Sequence, residues 1–463
     1  MNESASVSAA QLELAGFVTR TRISDLPAEL IERLRWSILD SLGCGLYGST
    51  TTWGRIVSEF ARTQGKGDCR IWADPRRARA SGPAAALANA TMIHSFEIDD
   101  VHYASRSHPG SVTVPVALAL AESGKPLSGG ELIAGLAVGY ELLARVGACQ
   151  GISSFNRGWH PTGTAGVFAA AATASRLLGL NAEACVHALG IAGTMPAGLM
   201  AAQFGAMVKR LYAGHTAWAG YSAALLASRG FTGIPDIFEA EYGGYLKAVS
   251  DEINVAALTQ NLGTRFEAGT IGYKLHACVG TNHTALDAAL QLRNQGGFTW
   301  REVEEVSILT SEYQVLHSGW EYVPSTVMAA QMNLQYCMAV LLMEGRVFVD
   351  QFTEALVRDP QILALAKRIR VAVKPGQNHS DRNAQVEIRL ADGRRLQAEC
   401  KAARGHPLNP PSWSDIEDKF MILAGKVLPP RRCRRIVQLV ADIEAVPDVS
   451  ELARLMVPTA RKA

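Results

Sequence analysis

The chain has 463 residues, 48% of them hydrophobic and 19% charged, with a formal net charge of +2. That balance fits a folded protein with a large core and excludes an intrinsically disordered chain. It gives no electrostatic reason to expect nucleic acid or an anionic membrane as partner, and the length points to two or three domains.

The N-terminal Met-Asn-Glu-Ser-Ala-Ser-Val-Ser lacks the basic and apolar regions of a secretory leader. No uninterrupted apolar run approaches the ~20 residues that span a bilayer. The first ordered element is expected at Ser24-Asp25-Leu26-Pro27, a polar cap followed by proline. Leu30, Leu34, Ile38 and Leu42 then recur at helical spacing, and Gly43, Gly45 and Gly48 end or loosen that helix. Residues 56–61 read as a helix fragment and 74–80 as a connection.

From 82 to 150 the pattern is helix, polar interruption, helix, helix. Ser128-Gly129-Gly130-Glu131 is a capping box before the apolar run 132–146. Residues 165–180 are almost wholly small and apolar, Asn181 caps a further helix, and another runs to Ala227. Residues 1–268 therefore read as an all-helical domain without alternating strands.

The texture then changes. Residues 304–310 and 369–373 are strand-like, and 385–390 and 394–400 alternate on either side of Ala391-Asp392-Gly393, a hairpin signal. Helices are expected over 284–292 and 327–343. Residues 269–404 form a smaller α+β domain on this reading. The tail, 405–463, is helical, with a second capping box at Ser414-Asp415-Ile416-Glu417. It would pack back on the helical domain. The fold class is thus mainly α, a large helical domain of N- and C-terminal segments with an α+β insert.

The chemistry concentrates in 94–115, which sets His94, His102, His108, Glu97, Asp99, Asp100 and Arg106 between apolar segments. Crowding and desolvation there shift pKa values toward catalytic use. His108 precedes Pro109, and His160 precedes Pro161 at the mouth of an Ala-rich helix, where the helix N-terminus favours an anionic ligand. Lys209 and Lys274 are candidate cations for substrate carboxylates. The histidine cluster could instead hold a metal for a hydrolase, although its spacing fits no specific metal motif, or form a structural network. The eight cysteines stand singly, without a CxxC pair, which fits free thiols in a reducing cytoplasm. The basic run Arg431, Arg432, Arg434 and Arg435 reads as a solvated helix face. No dinucleotide fingerprint, Walker A sequence or nucleophile elbow is present.

The ordered set His-Ser-Phe-Glu-Ile-Asp-Asp … His-Pro-Gly-Ser, Gly-Trp-His-Pro-Thr, Lys209 … Ala-Gly-His, Gly-Phe-Thr-Gly (230–233) and Tyr-Lys-Leu-His-Ala-Cys … His283 … Asp287 resembles the MmgE/PrpD family. That family comprises 2-methylcitrate dehydratases, cis-aconitate decarboxylases and iminodisuccinate epimerases. Leu334-Gln335-Tyr336 … Gly345 and Gly405-His406-Pro407 … Lys419-Phe420 continue the pattern. The resemblance implies a helical domain with an α+β lid, a homodimer, and proton transfer at carbon without metal or organic cofactor. It implies loss of water or carbon dioxide from a small di- or tricarboxylate, or, as the runner-up, inversion of an amino- or imino-dicarboxylate. Carried over by position, it puts catalytic groups at His108, His160, Lys209 and Tyr336, and substrate contacts at Glu97, Asp100 and Lys274. Glu97 stands where an aspartate is usual, Val101 where the decarboxylase has a hydroxyl residue, and the 101–108 loop is one residue longer.

Overall fold

The structure, a computed structural model, describes residues 7–378 and 381–458. Most of the N-terminal octapeptide read above lies outside the described residues. The architecture is mainly helical with small sheets.

The first helix, Ala9–Arg20, precedes the expected start and is capped by Ser8, which accepts from the Gln11 amide. The next, Ala28–Gly48, does not stop at Gly43 or Gly45. These glycines are contact points: a Cβ on Gly43 would meet Phe420, and one on Gly45 would meet Trp72 and Ile93. The apolar helices Gly82–Ile93, Pro109–Ser123, Gly129–Cys149, Pro161–Leu178 and Val208–Ala227 pack on one another to form the core. Gly129–Cys149 begins with the expected capping box, Ser128 with Glu131. It is long and apolar enough by composition to cross a membrane, yet it is buried within the protein and carries an internal Glu141–Arg145 ion pair.

Two-residue strands interrupt the helical part, contrary to expectation. Val101–His102 pairs antiparallel with Ile271–Gly272. This fixes the histidine-rich loop beside the segment that carries Lys274.

Beyond residue 300 the alternating runs form a four-stranded sheet in the order Ile369–Val373, Val303–Thr310, Ala384–Leu390, Arg395–Cys400. The first pair is parallel and the others antiparallel. Helix His283–Gln295 covers the last two strands. The single helix expected over 327–343 is two, Val327–Met332 and Leu334–Glu344, because Asn333 leaves helical backbone and its side chain caps the second by accepting from the Tyr336 amide at 2.8 Å. In the tail, Trp413–Ala424 packs on Ala28–Gly48. Its capping box is Ser412 with Asp415, two residues before the one expected.

Candidate active site

Helix Gly82–Ile93 ends at His94, and helices Pro109–Ser123 and Pro161–Leu178 begin just after His108 and His160. Proline in each first turn supplies the helical φ and removes an N–H that would have no partner. The His94 ring lies 4.8 Å from the His108 ring and 5.6 Å from the His160 ring, centroid to centroid.

Between them the chain turns sharply. Glu97 has φ +54°, which a non-glycine residue adopts only where its surroundings hold it. Gln331 supplies part of that hold, donating to the carbonyls of Phe96 (2.8 Å) and Ala277 (3.0 Å). The turn aims Glu97 at three buried cations. Its carboxylate pairs with Lys209, with Arg210 at 2.5 Å and with Lys274 at 3.3 Å. Burial alone would raise the Glu97 pKa, but the three cations hold it well below the ordinary value. Burial lowers the Lys209 pKa, with Glu97 opposing the shift.

Asp99 accepts from His94 Nδ1 at 2.7 Å, lies 3.5 Å from His108 Nδ1, and has Lys274 Nζ 4.0 Å from its other oxygen. Burial opposes its ionisation, yet His108, His94 and Lys274 keep its pKa low. Three cations therefore face two carboxylates, and the excess positive charge suits a further, external carboxylate.

His108 and His160 are held toward their neutral forms. Burial takes His108 down to about 3 and His160 well below the usual imidazole value. His108 Nδ1 donates to the Asp100 carbonyl at 2.6 Å, which leaves Nε2 as the acceptor nitrogen. The buried His160 Nδ1 has no partner among the described residues.

His108, His160, Glu97, Lys209 and Lys274 all line one cavity, open at its mouth. Two of the sequence-predicted residues do not. The Asp100 carboxyl accepts from Tyr140 (2.7 Å) and from the Gly110 amide (3.0 Å), and burial raises its pKa to about 8. Only glycine fits at 110, since a Cβ there would lie 2.8 Å from an Asp100 oxygen. Asp100 thus meets the site through its carbonyl, as the acceptor that sets the His108 tautomer. Tyr336 is buried elsewhere, donating to the Gln351 carbonyl at 2.8 Å and packing on Tyr322 and Phe352. Its helix faces the core there.

Arg210, which pairs with Glu97, and His317, which lines the cavity, are site residues that the sequence reading does not name. His94 and Asp99 were visible as part of the polar stretch, but nothing in the spacing distinguished Asp99 from Asp100. His94, Asp99 and His108 bring possible ligand atoms within 4.8 Å of one another. Lys274 Nζ, 4.0 Å from Asp99, competes with any metal cation there, although His94 Nε2 is buried and has no partner among the described residues.

The fold and site define a mainly helical protein whose buried cavity combines neutral imidazoles with lysine ammonium groups. The chain belongs to the MmgE/PrpD family: residues 12–256 match its N-terminal domain and 276–445 its C-terminal domain. Similar proteins include the cis-aconitate decarboxylase-like protein oryM of Aspergillus oryzae, 33% identical over 96% of each chain. The cis-aconitate decarboxylase of Aspergillus terreus is 30% identical over 96% of this chain and 95% of its own. The human cis-aconitate decarboxylase is 27% identical over 94% and 92%.

Proposed function

We propose that this protein is a lyase that removes carbon dioxide from a small polycarboxylate, with cis-aconitate the first candidate. The observation that carries the reading is the convergence of Lys209, Lys274, His108 and His160 on one buried cavity. The names of the relatives support decarboxylation over dehydration and lend nothing to the epimerase alternative.

Lys209 and Lys274 hold substrate carboxylates, exchanging part of their pairing with Glu97 for the ligand. The incoming negative charge raises the pKa of the neighbouring imidazoles, so one takes up a proton as substrate binds. As carbon dioxide leaves, the electron pair of the broken C–C bond passes to the carbon skeleton. The imidazolium of His108 or His160 then delivers one proton to that carbon and returns to its neutral form. Asp99 steadies the transient charge through His94 and His108.

The test is a panel of citrate, 2-methylcitrate, cis-aconitate and iminodisuccinate, followed by carbon dioxide release and product NMR. Stoichiometric carbon dioxide from cis-aconitate is expected. A new alkene without carbon dioxide would make the protein a dehydratase, and proton exchange at carbon without either would make it an epimerase.

A further inference from the structure

Arg106, Tyr313 and Arg382 line the catalytic cavity and also line a second, larger cavity outside it. They therefore mark the junction between the two. Arg106 has φ +55°, and the surrounding loop is pinned by reciprocal backbone hydrogen bonds between His102 and Ser107. Its Nε is buried and has no partner among the described residues. Arg382 lies over the Tyr103 ring at 4.8 Å and the Tyr313 ring at 5.9 Å. Stacking uses the faces of a guanidinium and leaves its in-plane N–H groups free to donate. The outer cavity adds Lys401, against one lining carboxylate, Asp381.

We propose that Arg106 and Arg382 form an outer carboxylate subsite, which grips the carboxylate farthest from the histidines and selects tricarboxylates over dicarboxylates. The inference rests on the reading of the inner cavity as a polycarboxylate site. Two guanidinium forks match the planar geometry of a carboxylate, and a positively charged mouth draws anions inward. A dicarboxylate held by Lys209 and Lys274 leaves the outer subsite empty. A tricarboxylate fills both.

Calorimetric titration with propane-1,2,3-tricarboxylate and with succinate tests this, using wild type, Arg106→Gln, Arg382→Gln and Arg382→Lys. Each Gln variant is expected to raise Kd for the tricarboxylate by about tenfold more than for succinate, as loss of a charge-assisted hydrogen bond implies. Arg382→Lys should fall between, keeping the charge without the fork. Melting curves confirm that each variant is folded, and the two arginines give independent tests. Equal weakening of both ligands, or of neither, overturns the subsite while wild-type binding leaves the polycarboxylate reading standing. A wild type that binds neither ligand overturns both.

Discussion

Replacing Glu97 with Gln keeps the shape of the side chain and removes the one carboxylate shared by Lys209, Arg210 and Lys274. Glu97 is 3% exposed, so its loss leaves the three cations largely desolvated and without their shared partner. Breaking a buried ion pair from one side costs about 3–5 kcal/mol. A chain of this length has an unfolding entropy of roughly 1 kcal/mol per kelvin, so Tm should fall by about 4 °C. The deficit should shrink as pH rises. An unpaired buried Lys209 has a folded-state pKa further below its unfolded value, so the unfolded chain binds the extra proton and stability climbs with pH toward the ordinary lysine range. Propane-1,2,3-tricarboxylate should raise Tm more in the variant than in wild type, because Glu97 no longer competes for the lysines. Scanning calorimetry from pH 7 to 10, with and without the tricarboxylate, reads all three effects. A Tm within about 1 °C of wild type at every pH would refute the electrostatic reasoning.

Substrate binding near neutral pH should take up protons, since His108 and His160 are neutral beforehand and an added anion favours their charged forms. Titrations in two buffers of different ionisation enthalpy measure the number, and zero uptake would contradict the proposed proton source. Asp100 has its pKa raised to about 8, so the stability it contributes is full below about pH 4 and is lost as pH rises through 8. Asp100→Asn should abolish that loss in Tm measured from pH 4 to 8, and an unchanged profile would contradict it. Tyr336→Phe removes a hydrogen bond to the Gln351 carbonyl outside the cavity. It should cost about 1 kcal/mol of stability and leave kcat within a few-fold of wild type. A hundredfold loss in kcat would restore Tyr336 to the active site.

The sheet was legible because residues 384–400 alternate around an Asp-Gly turn, a local pattern with one dominant solution. The helices were legible as existing, less so at their ends. Gly43 and Gly45 have the composition of a helix terminus, but close packing on Phe420, Trp72 and Ile93 accounts for them, and that depends on residues far along the chain. Ser412 and Ser414 both satisfy a capping pattern, with Asp415 and Glu417 respectively. Only the structure shows which one starts the helix. At the site, the His-Pro steps pointed to His108 and His160 because proline ties the histidine to a helix start. The division of labour between Asp99 and Asp100 hinges on the left-handed turn at Glu97, which tertiary contacts impose. Arg210, fully buried beside Lys209, reaches the same carboxylate, and nothing in its local sequence marks it as a partner of Glu97.

The most direct test of carbon–proton chemistry at this cavity is proton NMR of cis-aconitate incubated with the protein in deuterated water, beside His160→Ala and His108→Ala. Loss of carbon dioxide with one deuteron placed on the product carbon is predicted for wild type. One or both histidine variants should be slower by about 10²-fold or more, with Tm little changed. Full activity in both variants, or product formed without deuterium, would contradict a histidine-delivered proton.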